Sequence, residues 1–210
     1  RESFFREAIS AVFCDFELVR AYYFALNARY GKSRWLKRFR SIAETASETD
    51  MSYQNTGMNP DLITCFQGAT AEKRAAQGAL QMTMTRKPGF PCRISVEDAE
   101  VWEELILFHH MSHDVDSPYR SSYAIFARTG PAAAAQFTQF TNVVPPVFEG
   151  RPLGMRAFGI NAMLKAASHA LPGDADRSIR QLFELNELAY IDVHNAAHGC
   201  FVARVERFES

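Results

Sequence analysis

The sequence predicts an α+β fold, in which a mostly antiparallel β-sheet carries a packed helix near the C-terminus and an N-terminal helical hairpin comes first. Three observations lead to this prediction. Apolar residues recur at three- and four-residue steps over residues 3–42. Short segments that alternate between apolar and polar residues follow residue 80, and one strongly amphipathic segment, residues 174–185, lies among them. Because short connections join these segments, we expect neighbouring strands to pair antiparallel.

Residues 1–50 are predicted to form a helical N-terminal extension. A first helix over residues 3–30 ends near Gly31, and a second begins near Ser33, a favourable N-cap residue. Residues 45–61 are polar and include glycine and proline, which is typical of a linker or loop. We therefore expect a separate α+β domain over residues 51–210.

The remaining elements are predicted from local periodicity. Alternating or continuous apolar patterns predict strands at residues 80–87, 92–96, 103–111, 123–128, 188–195 and 200–208, with two more within 153–171. The continuous apolar centre of 103–111 indicates a strand interior to a sheet. The helix over 174–185 can begin at Asp174 or Asp176, and its inner face carries Ile179, Leu182, Phe183 and Leu185.

Composition disfavours nucleic-acid and membrane partners. The 210 residues carry a formal net charge of -1, so no overall field attracts polyanions. Five Lys and Arg residues between 32 and 40 could form a nucleic-acid or partner surface, but a solvated helix face is the commoner explanation. No apolar run reaches the roughly 18–20 residues of a membrane span, and four scattered cysteines fit a reducing compartment. We expect a cytoplasmic protein.

The stretch YIDVHNAAHGC, residues 190–200, contains several side chains that could act in catalysis or binding. Alternate residues of a strand share a face, so Tyr190, Asp192 and His194 are expected to point to one side. Residues 196–199 predict a hairpin turn, in which Gly199 can adopt a positive φ.

The length of this turn decides which side chains meet. A four-residue loop pairs Asn195 with Cys200 and sets His194 opposite Phe201, and it continues into a pair between Val193 and Val202. A five-residue loop instead pairs His194 with Cys200, because a one-residue slip changes every partner. We favour the four-residue loop, which is common in hairpins.

His194 and Cys200 are the candidate catalytic residues. An imidazole beside a thiol could activate it as a nucleophile, whereas a free cysteine is more often a small core residue. Cys92 presents the same alternatives, and it could also form a redox pair with Cys200.

The candidate ligand-binding residues are Arg93, Tyr119, Arg120 and Asn195. Arginine suits bidentate capture of a carboxylate or phosphate, so we expect a small anionic ligand. The non-functional alternative is that the arginines face solvent and that Tyr119 only packs against neighbouring side chains. No cofactor is predicted, since G-x-G-x-x-G, P-loop and G-x-S-x-G motifs are missing. No metal is predicted either, because the six histidines lack the spacing of a metal site.

Three blocks carry a resemblance to a known family: KPGFPCRISVEDAE (Lys87–Glu100), VDSPYRSSYAIFAR (Val115–Arg128) and AYIDVHNAAHGCFVARVER (Ala189–Arg207). Together they resemble the landmarks of a family of small bacterial proteins known only as domain of unknown function 1203. The resemblance implies a compact bacterial domain that starts near Met51, and it implies no reaction. All six candidate site residues fall in the matching blocks. One departure is Trp102, where the family tends to have glycine, and this could disturb a turn between Glu100 and Glu103.

Two functional hypotheses stand at this point, and the sequence does not decide whether the protein is an enzyme. The first is a small-molecule-binding domain whose site forms where the SPYR turn (residues 117–120) meets the hairpin at 194–200. There His194 would act as acid or base, Asn195 would orient the ligand, and Arg120 would anchor an anion. The second is a non-catalytic interaction or structural domain, in which His194 and Asn195 only satisfy backbone groups of the turn.

Overall fold

A computed structural model describes residues 51–129 and 138–208 of the chain. The predicted helical hairpin of residues 1–50 lies outside these residues. The strands are β1 (Tyr53–Thr56), β2 (Leu80–Thr83), β3 (Pro91–Cys92), β4 (Glu97–Asp98), β5 (Glu104–His113), β6 (Ser121–Arg128), β7 (Gln139–Thr141), β8 (Leu153–Gly159), β9 (Leu164–Ala170), β10 (Leu188–Asn195) and β11 (Phe201–Arg207). The helices are α1 (Ala71–Ala76) and α2 (Ala175–Phe183), with 3₁₀ turns at Pro60–Phe66 and Pro146–Phe148.

The strands form two sheets. The six-stranded sheet has the order β7-β1-β11-β10-β8-β9, and the five-stranded sheet has the order β2-β5-β6-β3-β4. The pairings are antiparallel except for β3 with β6, which is parallel. The predicted α+β class with mostly antiparallel sheet is therefore confirmed for the described residues. No helix among them is long and apolar enough to cross a membrane.

The polar segment predicted as a linker contains a strand. β1 pairs antiparallel with β11, and Tyr53 and Asn55 are both fully buried. The side-chain amide of Asn55 donates to the carbonyl oxygen of Val143 at 3.0 Å, while its Oδ1 is buried without a partner among the described residues. Gly57 follows at a close approach, where a Cβ would lie 1.9 Å from the carbonyl oxygen of Ile94. Polar composition misled the prediction because residues of this polar segment pair with β11 and are buried inside the fold.

Helix α2 covers one face of the six-stranded sheet. Ile179, Leu182 and Phe183 are buried as predicted, and they pack with sheet residues such as Ile191 and Val205. Leu185, predicted for the same face, is 43% exposed because the helix ends at Phe183. Asp174 is the N-cap residue, but its side chain makes no capping hydrogen bond.

The other face of the six-stranded sheet packs against the five-stranded sheet. Phe201 of β11 joins a second apolar cluster with Ile106 and Phe108 of β5 and Ile125 of β6. The central position of β5, between β2 and β6, agrees with its continuous apolar sequence. The alternation predicted at residues 92–96 does not continue β3. That strand ends at Cys92, and the chain turns before it reaches β4.

The hairpin between β10 and β11 has the four-residue loop. Asn195 donates its N–H to the carbonyl oxygen of Cys200 at 3.0 Å, and His194 lies opposite Phe201. The predicted pair of Val193 with Val202 is wrong, because a β-bulge shifts the register and pairs Val193 with Ala203. A bulge inserts one extra residue into a strand. Here Val202 is that residue, and every later partner moves by one position.

Candidate functional site

Arg93 and Cys200, two of the predicted site residues, are in contact. Arg93 follows β3 and is 1% exposed. Its Nη2 donates to Cys200 Sγ at 3.2 Å, and its Nε donates to the carbonyl oxygen of Phe201 at 2.8 Å. Its Nη1 bonds the carbonyl oxygen of Pro91, so all three nitrogens have partners. Burial lowers the pKa of Arg93 from its ordinary value. Arg93 joins the five-stranded sheet to the β10–β11 hairpin and offers no surface to a ligand.

His194 is buried between the two sheets. Its ring contacts Tyr123 at 5.0 Å between centroids and Phe201 at 6.0 Å. Its Nδ1 lies 3.3 Å from the carbonyl oxygen of Gly199. Because a carbonyl only accepts, Nδ1 carries the proton of the neutral ring. Burial, reinforced by the charge of Arg156, lowers the pKa of His194 to about 4.

Asn195 uses its side chain within the turn. Its Oδ1 accepts the N–H groups of Ala197 at 2.9 Å and His198 at 3.2 Å. This is the turn-stabilising role that the second sequence hypothesis assigns to Asn195. The oxygen expected to orient a ligand is therefore already engaged.

Tyr119 and Arg120 lie in the connection between β5 and β6. Arg120 forms an ion pair with Asp114 at 2.7 Å, and both side chains are more than half exposed. The ring of Tyr119 lies edge-on to Phe158, with 6.2 Å between centroids. The structure shows no contact between these two residues and His194, Asn195 or Cys200 within the described part of the chain.

The structure brings Arg93 together with Cys200, but it shows no contact of either residue with Arg120 among the described residues. None of the six predicted residues lines either of the two cavities described below. The register sets His194 opposite Phe201, and Cys200 bonds Arg93. The catalytic roles suggested for His194 and Cys200 stay predictions, without a direct imidazole–thiol hydrogen bond to support them.

A polar network that sequence analysis did not single out joins the two sheets. Both carboxylate oxygens of Asp192 accept from Arg204, at 2.8 Å from Nε and 3.0 Å from Nη2. Arg204 Nη2 also donates to the carbonyl oxygen of Ser112 on β5 at 2.8 Å. The guanidinium lies 3.8 Å above the ring centroid of Tyr190. Arg204 is thereby held by three separate interactions.

The network continues through Tyr190 to a second buried histidine. The hydroxyl of Tyr190 lies 2.7 Å from His113 Nδ1, and His113 Nε2 lies 3.1 Å from the carbonyl oxygen of Ala162. Since the carbonyl only accepts, Nε2 donates to it, and in the neutral ring Nδ1 then accepts a hydrogen bond from the hydroxyl of Tyr190. His113 also stacks on Phe158 with 4.0 Å between centroids.

The ion pair at the centre of this network is largely buried. Asp192 is 1% exposed. Burial raises the pKa of Asp192, against the opposing effect of Arg204. Burial alone would lower the pKa of Arg204, but the hydrogen bonds and charge of Asp192 outweigh it and raise that pKa. Arg204 is therefore a permanent, rigidly placed cation.

A cleft of about 230 Å³ opens beside Arg204, and we call it the inter-sheet cleft. Its apolar wall is formed by Met58, Leu62 and Phe201. Its polar wall is formed by Thr56, His110, Ser112, Arg204 and Glu206, and the backbone of Gly57 completes it. The cleft is small beside ordinary ligand pockets of roughly 300–1,000 Å³, so it suits a correspondingly small molecule.

Two polar groups of this wall lack hydrogen-bond partners among the described residues. Ser112 Oγ is buried and unsatisfied. Arg204 Nη1 makes none of the described hydrogen bonds, which all use Nε and Nη2. Burial, then the charge of Arg204, lowers the pKa of His110, so this imidazole is neutral at physiological pH. The wall therefore offers a hydroxyl, a guanidinium N–H and a neutral ring.

A second cavity of about 410 Å³ is lined by residues that include Phe66, Arg74 and Glu104. It extends to Thr129, where the described residues stop, and we assign no function to it. Within residues 51–129 and 138–208, no three His, Cys, Asp or Glu side chains are grouped to hold a metal ion.

One sequence signal could have indicated the network. Strand alternation correctly placed Asp192 and His194 on one side of β10. The partner of Asp192 depends on the bulge, which sets Arg204 opposite it, whereas an unbroken register would set Ala203 there. The consecutive apolar residues Val202 and Ala203, both buried in the same cluster, mark that bulge.

The comparisons with known proteins agree with the resemblance seen in the sequence. No curated protein and no solved structure matches the chain. The family model described as "Protein of unknown function (DUF1203)" matches residues 89–207, a range that begins later than Met51 and contains Arg93, Asp192 and Arg204. Because this match spans more than half of the chain, the protein belongs to the DUF1203 family.

Proposed function

We propose that the protein binds a small molecule that carries a carboxylate, and that the inter-sheet cleft is its site. The observation that carries this proposal is the buried, unsatisfied hydroxyl of Ser112 beside the guanidinium of Arg204. Buried polar groups nearly always have a hydrogen-bond partner. A carboxylate would accept from both groups at once, since each of its oxygens has free lone pairs.

The fixed position of Arg204 supports this proposal. Asp192 and the Tyr190 ring hold the guanidinium before any ligand arrives. Little conformational entropy is then lost when the ligand binds, which favours affinity. The expected ligand charge is the one suggested by the sequence, but the residues differ from the predicted set.

The alternative is a non-catalytic interaction or structural domain. It is favoured by the turn-stabilising role of Asn195 and by Trp102, a large apolar side chain that is 77% exposed. In that case the cleft would hold only water, and small carboxylates would not stabilise the protein.

A thermal-shift screen of the full chain with sodium salts of small carboxylates, such as acetate, propionate, lactate and succinate, tests the proposal. A bound carboxylate raises the melting temperature by mass action. Sodium chloride at equal ionic strength is the control. The proposal is overturned if no carboxylate exceeds the effect of chloride.

Ser112→Ala sharpens this test. Removing an unsatisfied buried hydroxyl is expected to leave stability unchanged or slightly increased, because no hydrogen bond is lost. The carboxylate-induced shift should nevertheless shrink. Ser122→Ala is the matched control, since Ser122 Oγ bonds His109 and does not line the cleft. A full shift in Ser112→Ala would contradict the proposed site.

A further inference from the structure

We propose that the inter-sheet cleft selects zwitterions of the α-amino-acid class with a small apolar side chain, rather than simple anions. This inference rests on the proposed function, because it assigns the ligand's carboxylate to Arg204 and Ser112. It adds a second recognition element, the carboxylate of Glu206, an exposed residue that lines the cleft.

The charges around the cleft support a ligand that carries both signs. The positive charge of Arg204 is already matched by Asp192. Glu206 lines the cleft and forms no ion-pair contact with another described residue. Its negative charge adds to that of Asp192 in raising the pKa of Arg204, so the cleft carries two carboxylates for one guanidinium. The neutral imidazole of His110 does not offset this negative charge. Glu206 would therefore repel a simple anion, whereas a zwitterion could pair its carboxylate with Arg204 and its ammonium group with Glu206.

The spacing of these charges suits a short zwitterion. Arg204 and Glu206 are two residues apart on β11, and both line the same cleft. Side chains at such positions leave a strand about 7 Å apart on one face. An ammonium and a carboxylate on one carbon atom can bridge the fixed guanidinium of Arg204 and the side chain of Glu206, with one hydrogen-bonded contact to each.

Size and polarity define the rest of the ligand. A volume of about 230 Å³ excludes a nucleotide-sized molecule. Met58, Leu62 and Phe201 form an apolar wall that would receive an aliphatic side chain. A phosphate dianion fits poorly, because the single guanidinium of the wall is already paired and Glu206 repels a second negative charge.

The test compares three molecules of one shape by calorimetric titration of the full chain. L-leucine carries both charges, 4-methylpentanoate lacks the ammonium group, and 3-methylbutylamine lacks the carboxylate. We expect leucine to bind about five- to tenfold more tightly than 4-methylpentanoate, which corresponds to one partly exposed charge-assisted contact. The amine should bind weakest.

Glu206→Gln separates this inference from the proposed function. The variant should bind leucine about five- to tenfold more weakly and 4-methylpentanoate no more weakly than the unaltered protein does. Glu149→Gln is the matched control, because it removes the same charge and does not line the cleft. Equal binding of leucine and 4-methylpentanoate, unchanged in Glu206→Gln, overturns the inference and leaves carboxylate binding intact. Binding of neither carboxylate overturns both.

Discussion

The two faces of β10 present opposite chemistry to two buried layers. Ile191 and Val193 face helix α2 through an apolar cluster. Asp192 and His194 face the five-stranded sheet, and both are at most 5% exposed. The named side chains on both faces of β10 are nearly completely buried, but only those on the α2 face are apolar.

This difference shows that the two faces contribute differently to the fold. An apolar layer stabilises through the area that it removes from water, and it tolerates many shapes. A polar layer must satisfy each donor and acceptor, so it fixes the position of one sheet against the other. In this layer, Ser112 Oγ is buried beside the inter-sheet cleft and lacks a hydrogen-bond partner among the described residues. A ligand in the cleft can supply that hydrogen bond.

The largest effect is expected on the apolar face. Phe183→Ala should lower the free energy of unfolding by about 4 kcal/mol, because a fully buried aromatic side chain leaves a cavity. Chemical denaturation measures this value. Leu185→Ala is the control two residues beyond, just after the end of the helix, where the side chain is 43% exposed. A comparable loss in Leu185→Ala would show that burial against the sheet is not the cause.

The next effect is expected from the ion pair of the polar face. Asp192→Leu should lower the free energy of unfolding by about 3 kcal/mol, because Arg204 would keep its charge without a partner. The partial exposure of Arg204 keeps this value at the low end for buried pairs. Denaturant titration checks it.

A double variant separates stability from function at this pair. Asp192→Leu combined with Arg204→Met removes both charges, and it should recover most of the lost stability. Carboxylate binding in the inter-sheet cleft should nevertheless be lost in the double variant, because the guanidinium is gone. Recovery of binding together with stability would argue against Arg204 as the anchor.

Sequence alone predicts the helices and strands better than it predicts which residues of different elements come into contact. The 3.6-residue period of α2 and the alternation of β10 are local, so Phe183 and Asp192 could each be assigned to a face. Local alternation does not predict the bulge at Val202. This extra residue makes Arg204, and not Ala203, the partner of Asp192. Such a shift depends on long-range packing.

The candidate site was less predictable for the same reason. Ser112 and Arg204 are far apart in sequence and meet only when the two sheets pack. The residues that drew attention by type, such as Arg93 and Asn195, satisfy internal carbonyl and amide groups. Chemical versatility in a sequence does not reveal whether a group is already partnered.

A smaller effect, dependent on pH, is expected from His194. Its pKa is about 4 in the fold and 6.5 ordinarily, so the unfolded chain binds the extra proton first as the pH falls. The contribution of His194 is therefore present above pH 6.5 and is lost towards pH 4. Between pH 7 and pH 5 the loss should reach about 2 kcal/mol.

His194→Phe isolates this contribution. The ring keeps its contacts with Tyr123 and Phe201 but does not titrate. Free energies of unfolding measured at pH 7 and pH 5 should fall less in the variant than in the unaltered protein, by about 2 kcal/mol. Equal acid losses in the two proteins would mean that His194 does not titrate differently on unfolding.

The smallest effect is expected outside both faces, at Trp102. This residue adopts φ 73° in the turn before β5, and its N–H bonds the carbonyl oxygen of Met84 at 2.8 Å. The left-handed region costs a residue with a Cβ about 1–2 kcal/mol, and glycine avoids that cost. Trp102→Gly should therefore raise the free energy of unfolding by up to about 1 kcal/mol, after the greater flexibility of glycine in the unfolded chain is subtracted.

Val101→Gly is the matched control for this turn. Val101 is also exposed, at 41%, but its φ is not positive, so glycine brings flexibility to the unfolded chain without relieving strain. It should lower the free energy of unfolding by up to about 1 kcal/mol. Opposite signs for the two neighbours would tie the effect to the backbone conformation. A loss of stability in both would mean that the exposed Trp102 ring stabilises the turn by more than its backbone strain costs.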